Sequence, residues 1–212
     1  MKIDILTIFP EMFSGPLTES ILRRAVDKSL VEIKIHNLRD WSEDKHHTVD
    51  APPYGGGPGM VMRVDVIERA VTQFRQGSAG QVRVVLMDTK GKVYNQQKAK
   101  ELAKLDHIIL VAGHYEGVDH RVHEQVVDEV ISIGEFVLTG GELPAMMIVD
   151  SVVRLLPGVL GNEESLAEES YENGSETEYP QYTRPEDYKG WKVPDVLLSG
   201  HHEKIKAWRD KG

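Results

Sequence analysis

Residues 82–113, VRVVLMDTKGKVYNQQKAKELAKLDHIILVAG, decide the fold. VRVVLMD (82–88) and HIILVAG (107–113) are nearly continuous apolar runs, the pattern of strands buried on both faces. Between them QQKAKELAKL (96–105) has helical spacing. Strand, helix and strand in that order predict a parallel sheet covered by helices. Upstream, KIDILTIF (2–9) reads as a strand and LTESILRRAVDKSL (17–30) as a helix with Thr18 as its N-cap. VEIKIHNL (31–38) alternates Val31, Ile33 and Ile35 against Glu32, Lys34 and His36, the mark of a half-buried strand, and VDVIERAVTQF (64–74) is again helical. Downstream, the pattern predicts a helix over 119–129 and short strand or strand-loop units at EVISIG (129–134) and FVLTGG (136–141). A long apolar helix follows over LPAMMIVDSVVRLLP (143–157), with Pro144 near its start and Pro157 at its end.

A chain of 212 residues that is 40% hydrophobic and 28% charged has the composition of a globular protein, and it excludes fibrous and wholly disordered classes. No apolar run reaches the roughly 18 residues of a membrane span. With no cysteine, disulfides, thiolate zinc sites and a Cys nucleophile are excluded. MKIDILTIFPEMF lacks a cleavable signal, so a cytoplasmic location is expected. The net charge of -9 looks unfavourable for a polyanionic partner. Its distribution removes that objection, because residues 161–188 hold nine acidic residues against one basic, and 189–212 hold six basic against three acidic. The acidic segment reads as a flexible linker, 161–178. KGWKVPDVLLSGHHEKIKAWRDKG has too little apolar content for a core of its own, and is expected to dock on another surface such as a second subunit.

The densest motif is PYGGGPGM (53–60), whose Gly55, Gly56, Gly57 and Gly59 let backbone approach a ligand without a side chain in the way. It matches neither phosphate-loop pattern, and a turn cluster and a binding loop both remain open for it. AGHYEGVDHR (112–121) begins where a buried strand ends, and SIGEFVLTGGELP (132–144) ends the next. Ligands of open α/β sheets bind beyond the carboxyl ends of strands, which places Gly113, Tyr115, Glu116 and Gly117 for a small molecule. Three Gly-rich loops converge on a nucleoside pocket, although such loops also hold glycine for local reasons. His46, His47, His114, His120, His123, His201 and His202 lack metal-site spacing, so no metal is expected. Arg154, in the apolar VDSVVRLLP, either snorkels to the surface or faces an anionic or carbonyl group.

PYGGGPGM, AGHYEGVDHR, ISIGEFVLTGGELPAM, VVRLLPGVLGN, YPQYTRP and VPDVLLSGHHEKIKAWR together resemble the TrmD-type tRNA (guanine-N1)-methyltransferases, of the SPOUT class, along the whole chain. The resemblance implies methyl transfer from S-adenosylmethionine to N1 of guanosine 37 of tRNA, beside the anticodon. It also implies a knotted fold, a deep C-terminal trefoil in a parallel α/β domain (1–160), followed by the linker and a small helical tRNA-binding domain (179–212). Family members extend some tens of residues further, so the terminal helices are expected to be truncated here. Two subunits would form a homodimer with each active site at the interface.

Carried over by position, the cofactor residues would be Gly113, Tyr115, Glu116, Gly117, Ile133, Gly134, Glu135, Phe136, Val137, Leu138, Gly140, Gly141 and Pro144. Gly55, Gly56, Gly57, Gly59, Met60, Ser165, His201 and His202 would approach the tRNA. Arg154 matches the family's arginine, whereas the family's Asp-Ser-Phe triplet reads Glu169-Ser170-Tyr171, which makes Glu169 the implied base and Glu168 its local alternative. In LMDTKG (86–91) Thr89 stands where the family often has proline, a departure expected to have a modest effect on the pocket wall. Guanine N1 carries a proton at neutral pH, so its methylation needs a base and a cation for charge developing on O6, roles that suit a carboxylate and an arginine. A sibling enzyme with another RNA target, or a catalytically weakened tRNA-binding paralogue, would share these motifs.

Overall fold

The computed structural model describes residues 1–160, 170–171 and 178–210. It contains a parallel sheet of β1 (Lys2–Thr7), β2 (Glu32–Asn37), β5 (Val82–Val93), β6 (His107–Ala112) and β7 (Glu129–Ser132). The spatial order is β2-β1-β6-β5-β7, and every neighbouring pair runs parallel. A small antiparallel ribbon of β3 (Asp50–Ala51) and β4 (Val61–Met62) stands apart from it. Helices α1 (Ser20–Asp27), α2 (Val64–Gln76), α3 (Gln96–Leu102) and α4 (Glu142–Val153) connect the strands.

The period of two along the central strands divides the interior into two cores. Val85, Met87, Ile108 and Leu110 face one core, with Ile148, Val149 and Val152 of α4. Val84, Leu86, Ile109 and Val111 face the other, with Val66, Ile67 and Ala70 of α2. Every residue of β6 is buried, as its continuous apolar run requires. Each such aliphatic side chain contributes about 1.5–3 kcal/mol by leaving water.

At the amino edge of the sheet sits Asp4, fully buried yet bound on every side. Its oxygens lie 2.7 Å from Nε2 of His36 on β2, 2.7 Å from Nε2 of His107 on β6 and 2.8 Å from the Lys2 ammonium. Burial alone would raise the carboxyl pKa, but His107, His36 and Lys2 outweigh it and hold the group well below the usual carboxylate range. Three neighbouring strands are thereby tied at one point.

Several elements differ from their sequence patterns. The first helix starts at Ser20, and the Thr18 hydroxyl donates to the Gly15 carbonyl instead of capping it. The helix expected over 119–129 shrinks to one π-helical turn, Val122–Val126. Asp119 accepts the Arg121 backbone N–H and, in two bonds, its guanidinium, so the chain turns there instead of winding onward. FVLTGG forms no strand, and within it only Gly140 makes an isolated bridge, to His114. Helix α4 spans 142–153, four residues short of Pro157, with Arg154 at its C-cap.

Strand β5 outruns its apolar stretch as far as Val93, and its register against β7 shifts between Met87 and Lys92. A Cβ at Gly91 would lie 2.5 Å from the Ile131 nitrogen, so only glycine lets the two strands close again beyond the irregularity. Residues 88–91 are thereby pushed out at the carboxyl edge, where bulges re-aim side chains.

The chain divides into two compact units, Met1–Gly161 and Asn162–Gly212. In the second, β8 (Asp187–Tyr188) pairs with β9 (Trp191–Lys192), followed by a helical turn at Asp195–Leu198 and a helix at His202–Arg209. Tyr179 and Tyr182 pack around Trp208, and the Arg209 guanidinium lies 4.6 Å from the Tyr179 ring centre. None of its described residues is fully buried.

Candidate active site

Beyond the carboxyl ends of β5, β6 and β7 lies a cleft of about 180 Å³. Its walls are the bulge Met87–Lys90, the loop Gly113–Gly117 and the stretch Ile131–Pro144. Gly141 crosses Gly113 so closely that its N–H donates to the Gly113 carbonyl at 2.7 Å, and a Cβ there would stand 2.8 Å from the Gly113 nitrogen. A slot closed by bare backbone in this way presents amide and carbonyl groups directly to a ligand. Tyr115, which lines the cleft, is held at φ 61°, an uncommon left-handed conformation for a tyrosine.

Asp88 lines this cleft, and the Glu142 carboxylate is buried just behind Gly140 and His114 of its wall. Glu142, only 1% exposed at the start of α4, accepts the Thr7 hydroxyl at 2.8 Å, and Thr7 in turn accepts the Phe9 N–H at 2.9 Å. Its other oxygen is 3.6 Å from His114 Nδ1, beyond hydrogen-bond reach. Asp88 accepts the Lys90 N–H at 2.9 Å, and its second oxygen lies 3.1 Å from His123 Nε2. Among the described residues, the buried side-chain polar atoms without a hydrogen-bond partner are His114 Nδ1, on a residue of the cleft lining, and His123 Nδ1, on the residue that faces Asp88 from behind. Such atoms are rare in native interiors and concentrate where function constrains packing.

Of the residues carried over for the cofactor, Gly113, Tyr115, Glu116, Gly117, Ile133, Phe136, Val137, Leu138, Gly140, Gly141 and Pro144 line the cleft, while Gly134 and Glu135 do not. The Gly-rich loop is brought against the same site, because the Glu116 N–H donates to the Met60 carbonyl at 3.0 Å and the Met62 N–H to the Gly117 carbonyl at 2.9 Å. Gly55, Gly56, Gly57 and Gly59 are exposed in that loop, next to a fully accessible Tyr54. Arg154 is half-buried at the end of α4. Glu168, Glu169 and Ser165 fall outside the described residues. His201 and His202 belong to the second unit, where they open its last helix.

Met87, Asp88, Lys90, His114, Ile131, Ser132 and Thr139 also line the cleft although none was carried over as a cofactor residue, and Thr89 lines it as expected for LMDTKG (86–91). A signal was present for 88–90, which follow the run VRVVLM just as Gly113–Gly117 follow HIILVA. Among the described residues no group of three or more His, Asp or Glu side chains is arranged to hold a metal, and no helix is long and apolar enough to cross a membrane.

A parallel α/β sheet with a glycine-crossed cleft at its carboxyl edge defines the class of small-molecule-binding α/β proteins in which ligands sit beyond the strand ends. The particular family follows from comparison with known proteins. The family model tRNA (Guanine-1)-methyltransferase TrmD matches residues 1–212. The tRNA (guanine-N(1)-)-methyltransferase of Dictyoglomus turgidum is 57% identical over 211 residues, which cover 100% of this chain and 84% of that protein. Those of Bacillus licheniformis and Bacillus subtilis are 56% and 54% identical over 211 residues, each match covering 100% of this chain and 86% of the relative. The chain belongs to the TrmD family.

Proposed function

We propose that this protein transfers a methyl group from S-adenosylmethionine to N1 of guanosine 37 in tRNA. The observation that carries the reading is the cleft at the carboxyl edge, lined by Gly113, Gly140 and Gly141 and by Ile131, Ile133, Leu138 and Pro144. Bare backbone recognises the edge of an adenine, and the aliphatic groups take its faces, so this residue set fits the adenosyl group. When bound, S-adenosylmethionine supplies an electrophilic methyl on a sulfonium whose sulfur leaves as a neutral thioether.

The chain's own residues supply the rest. Glu169 takes the N1 proton of guanine, and Arg154 stabilises the charge that moves onto O6. Glu116 and the loop 53–60, hydrogen-bonded together beside the cleft, bound the side from which the base arrives. The C-terminal part of the α/β domain is threaded as a deep trefoil knot that forms this pocket, and two copies form a homodimer with each active site built across the interface. Residues 1–160 bind the cofactor, 161–178 carry the base and 179–212 hold tRNA, in the cytoplasm.

Incubation with methyl-labelled S-adenosylmethionine and tRNA transcripts tests the reading. Label is expected only in transcripts with guanosine at position 37. Incorporation elsewhere would indicate another RNA target, and cofactor binding without transfer would indicate a catalytically weakened paralogue.

A further inference from the structure

We propose that Asp88 lets the cleft distinguish the charged, methyl-bearing cofactor from its neutral demethylated product. The inference rests on the reading of the cleft as an S-adenosylmethionine site. The two molecules share adenosine, ammonium and carboxylate groups, and differ in one methyl and one positive charge on sulfur. Glycine backbone and aliphatic side chains grip the shared parts and cannot read that charge. A fixed negative group in the wall can.

The charged groups lining the cleft are Asp88, Lys90 and Glu116. Glu116 is exposed beside the Gly-rich loop and Lys90 is exposed, whereas the Asp88 side chain is only 14% accessible. Asp88 is also held in place by the Lys90 N–H at 2.9 Å and His123 Nε2 at 3.1 Å. His123 is the side chain that fixes the second carboxylate oxygen. Its side chain is 8% accessible, and its Nδ1 is buried without a partner. A hydrogen bond at Nε2 orients the Asp88 carboxylate toward the cleft. The ring of His120, 5.1 Å from that of His123, has its own carboxylate in Glu124 at 3.5 Å. Buried Glu142, held by the Thr7 hydroxyl, stands behind His114 and Gly140 and does not line the cleft. On methyl transfer the sulfur loses its charge, and the attraction that favoured the substrate no longer holds the product.

Calorimetric titration of S-adenosylmethionine and S-adenosylhomocysteine into the full chain tests this. Asp88→Asn is expected to weaken the first about 10-fold and the second less than about 2-fold, the order of effect of one unit charge at a partly screened site. Asp88→Ser, which keeps an acceptor for the Lys90 N–H, should give the same ratio if Asp88→Asn does not fold. His123→Gln should leave the ratio unchanged. Equal weakening of both ligands in the Asp88 variants would overturn the proposal and assign Asp88 to the ribose hydroxyls or the ammonium. A rise in preference for the sulfonium in His123→Gln would show that the ring offsets the Asp88 charge and would overturn its assignment as a positioning group. Failure of the wild-type protein to bind either ligand would instead remove the reading of the cleft itself.

Discussion

The two edges of one sheet are built by opposite rules. At the amino edge Asp4 is buried and every oxygen is answered by His36, His107 or Lys2. At the carboxyl edge two imidazole nitrogens are buried without partners, Tyr115 is held left-handed, and Phe136, Val137 and Leu138 are left largely exposed. Satisfied polar groups tie strands together, whereas unsatisfied and strained ones mark a surface waiting for another molecule. The same strands thus hold the fold at one end and present chemistry at the other.

The largest test of this division lies in the linker and the cleft. Glu169→Gln should lower methyl transfer about 10²–10⁴-fold while leaving cofactor affinity unchanged, as a positioned base contributes that much. Unaltered transfer in the presence of bound cofactor would remove Glu169 from the reaction. Next in size, Asp4→Asn should cost about 3–5 kcal/mol in urea unfolding, because the Lys2 ammonium and the His36 and His107 rings would lose the buried carboxylate that joins them. Its cofactor affinity should stay within about 2-fold, and a loss of binding at unchanged stability would break the separation of the two edges.

Acid sharpens the same point. Because the folded-state pKa of Asp4 is depressed, its contribution is fully present above the ordinary carboxylate value of 3.8 and is lost as pH falls below it. Urea midpoints should therefore drop between about pH 4 and pH 2 in the wild type, and more shallowly in Asp4→Asn. At the carboxyl edge Gly141→Ala puts a methyl against the Gly113 backbone, at a cost of about 1–3 kcal/mol. Here cofactor binding should suffer more than the melting temperature. A cost of the same order, about 1–3 kcal/mol in the melting curve, is expected from Thr7→Val, which strips Glu142 of its hydroxyl partner.

Much of this arrangement is legible locally. VRVVLMD and HIILVAG are apolar at consecutive positions because both faces of their strands meet a core, and that periodicity needs no knowledge of neighbours. Gly113, Tyr115 and Glu116 follow from their place at a strand end. What lies out of view depends on long-range pairing. That Asp88 follows a strand run is visible in the sequence, but its exact place in the wall is set where β5 slips its register against β7, more than forty residues later in sequence. Glu142 looks like an ordinary helix-start carboxylate, and its burial against Thr7 arises from the juxtaposition of β1 and α4, 135 residues apart. The predicted helix over 119–129 fails for a local reason that was visible, since Asp119 and Arg121 form their own turn.

Amide chemical-shift mapping during an S-adenosylmethionine titration tests the central claim most directly. The account predicts saturable shifts at 88–90, 113–117 and 131–144, with Lys2, Asp4, His36 and His107 unmoved. Shifts centred on the amino edge, or no saturable shift anywhere, would contradict it.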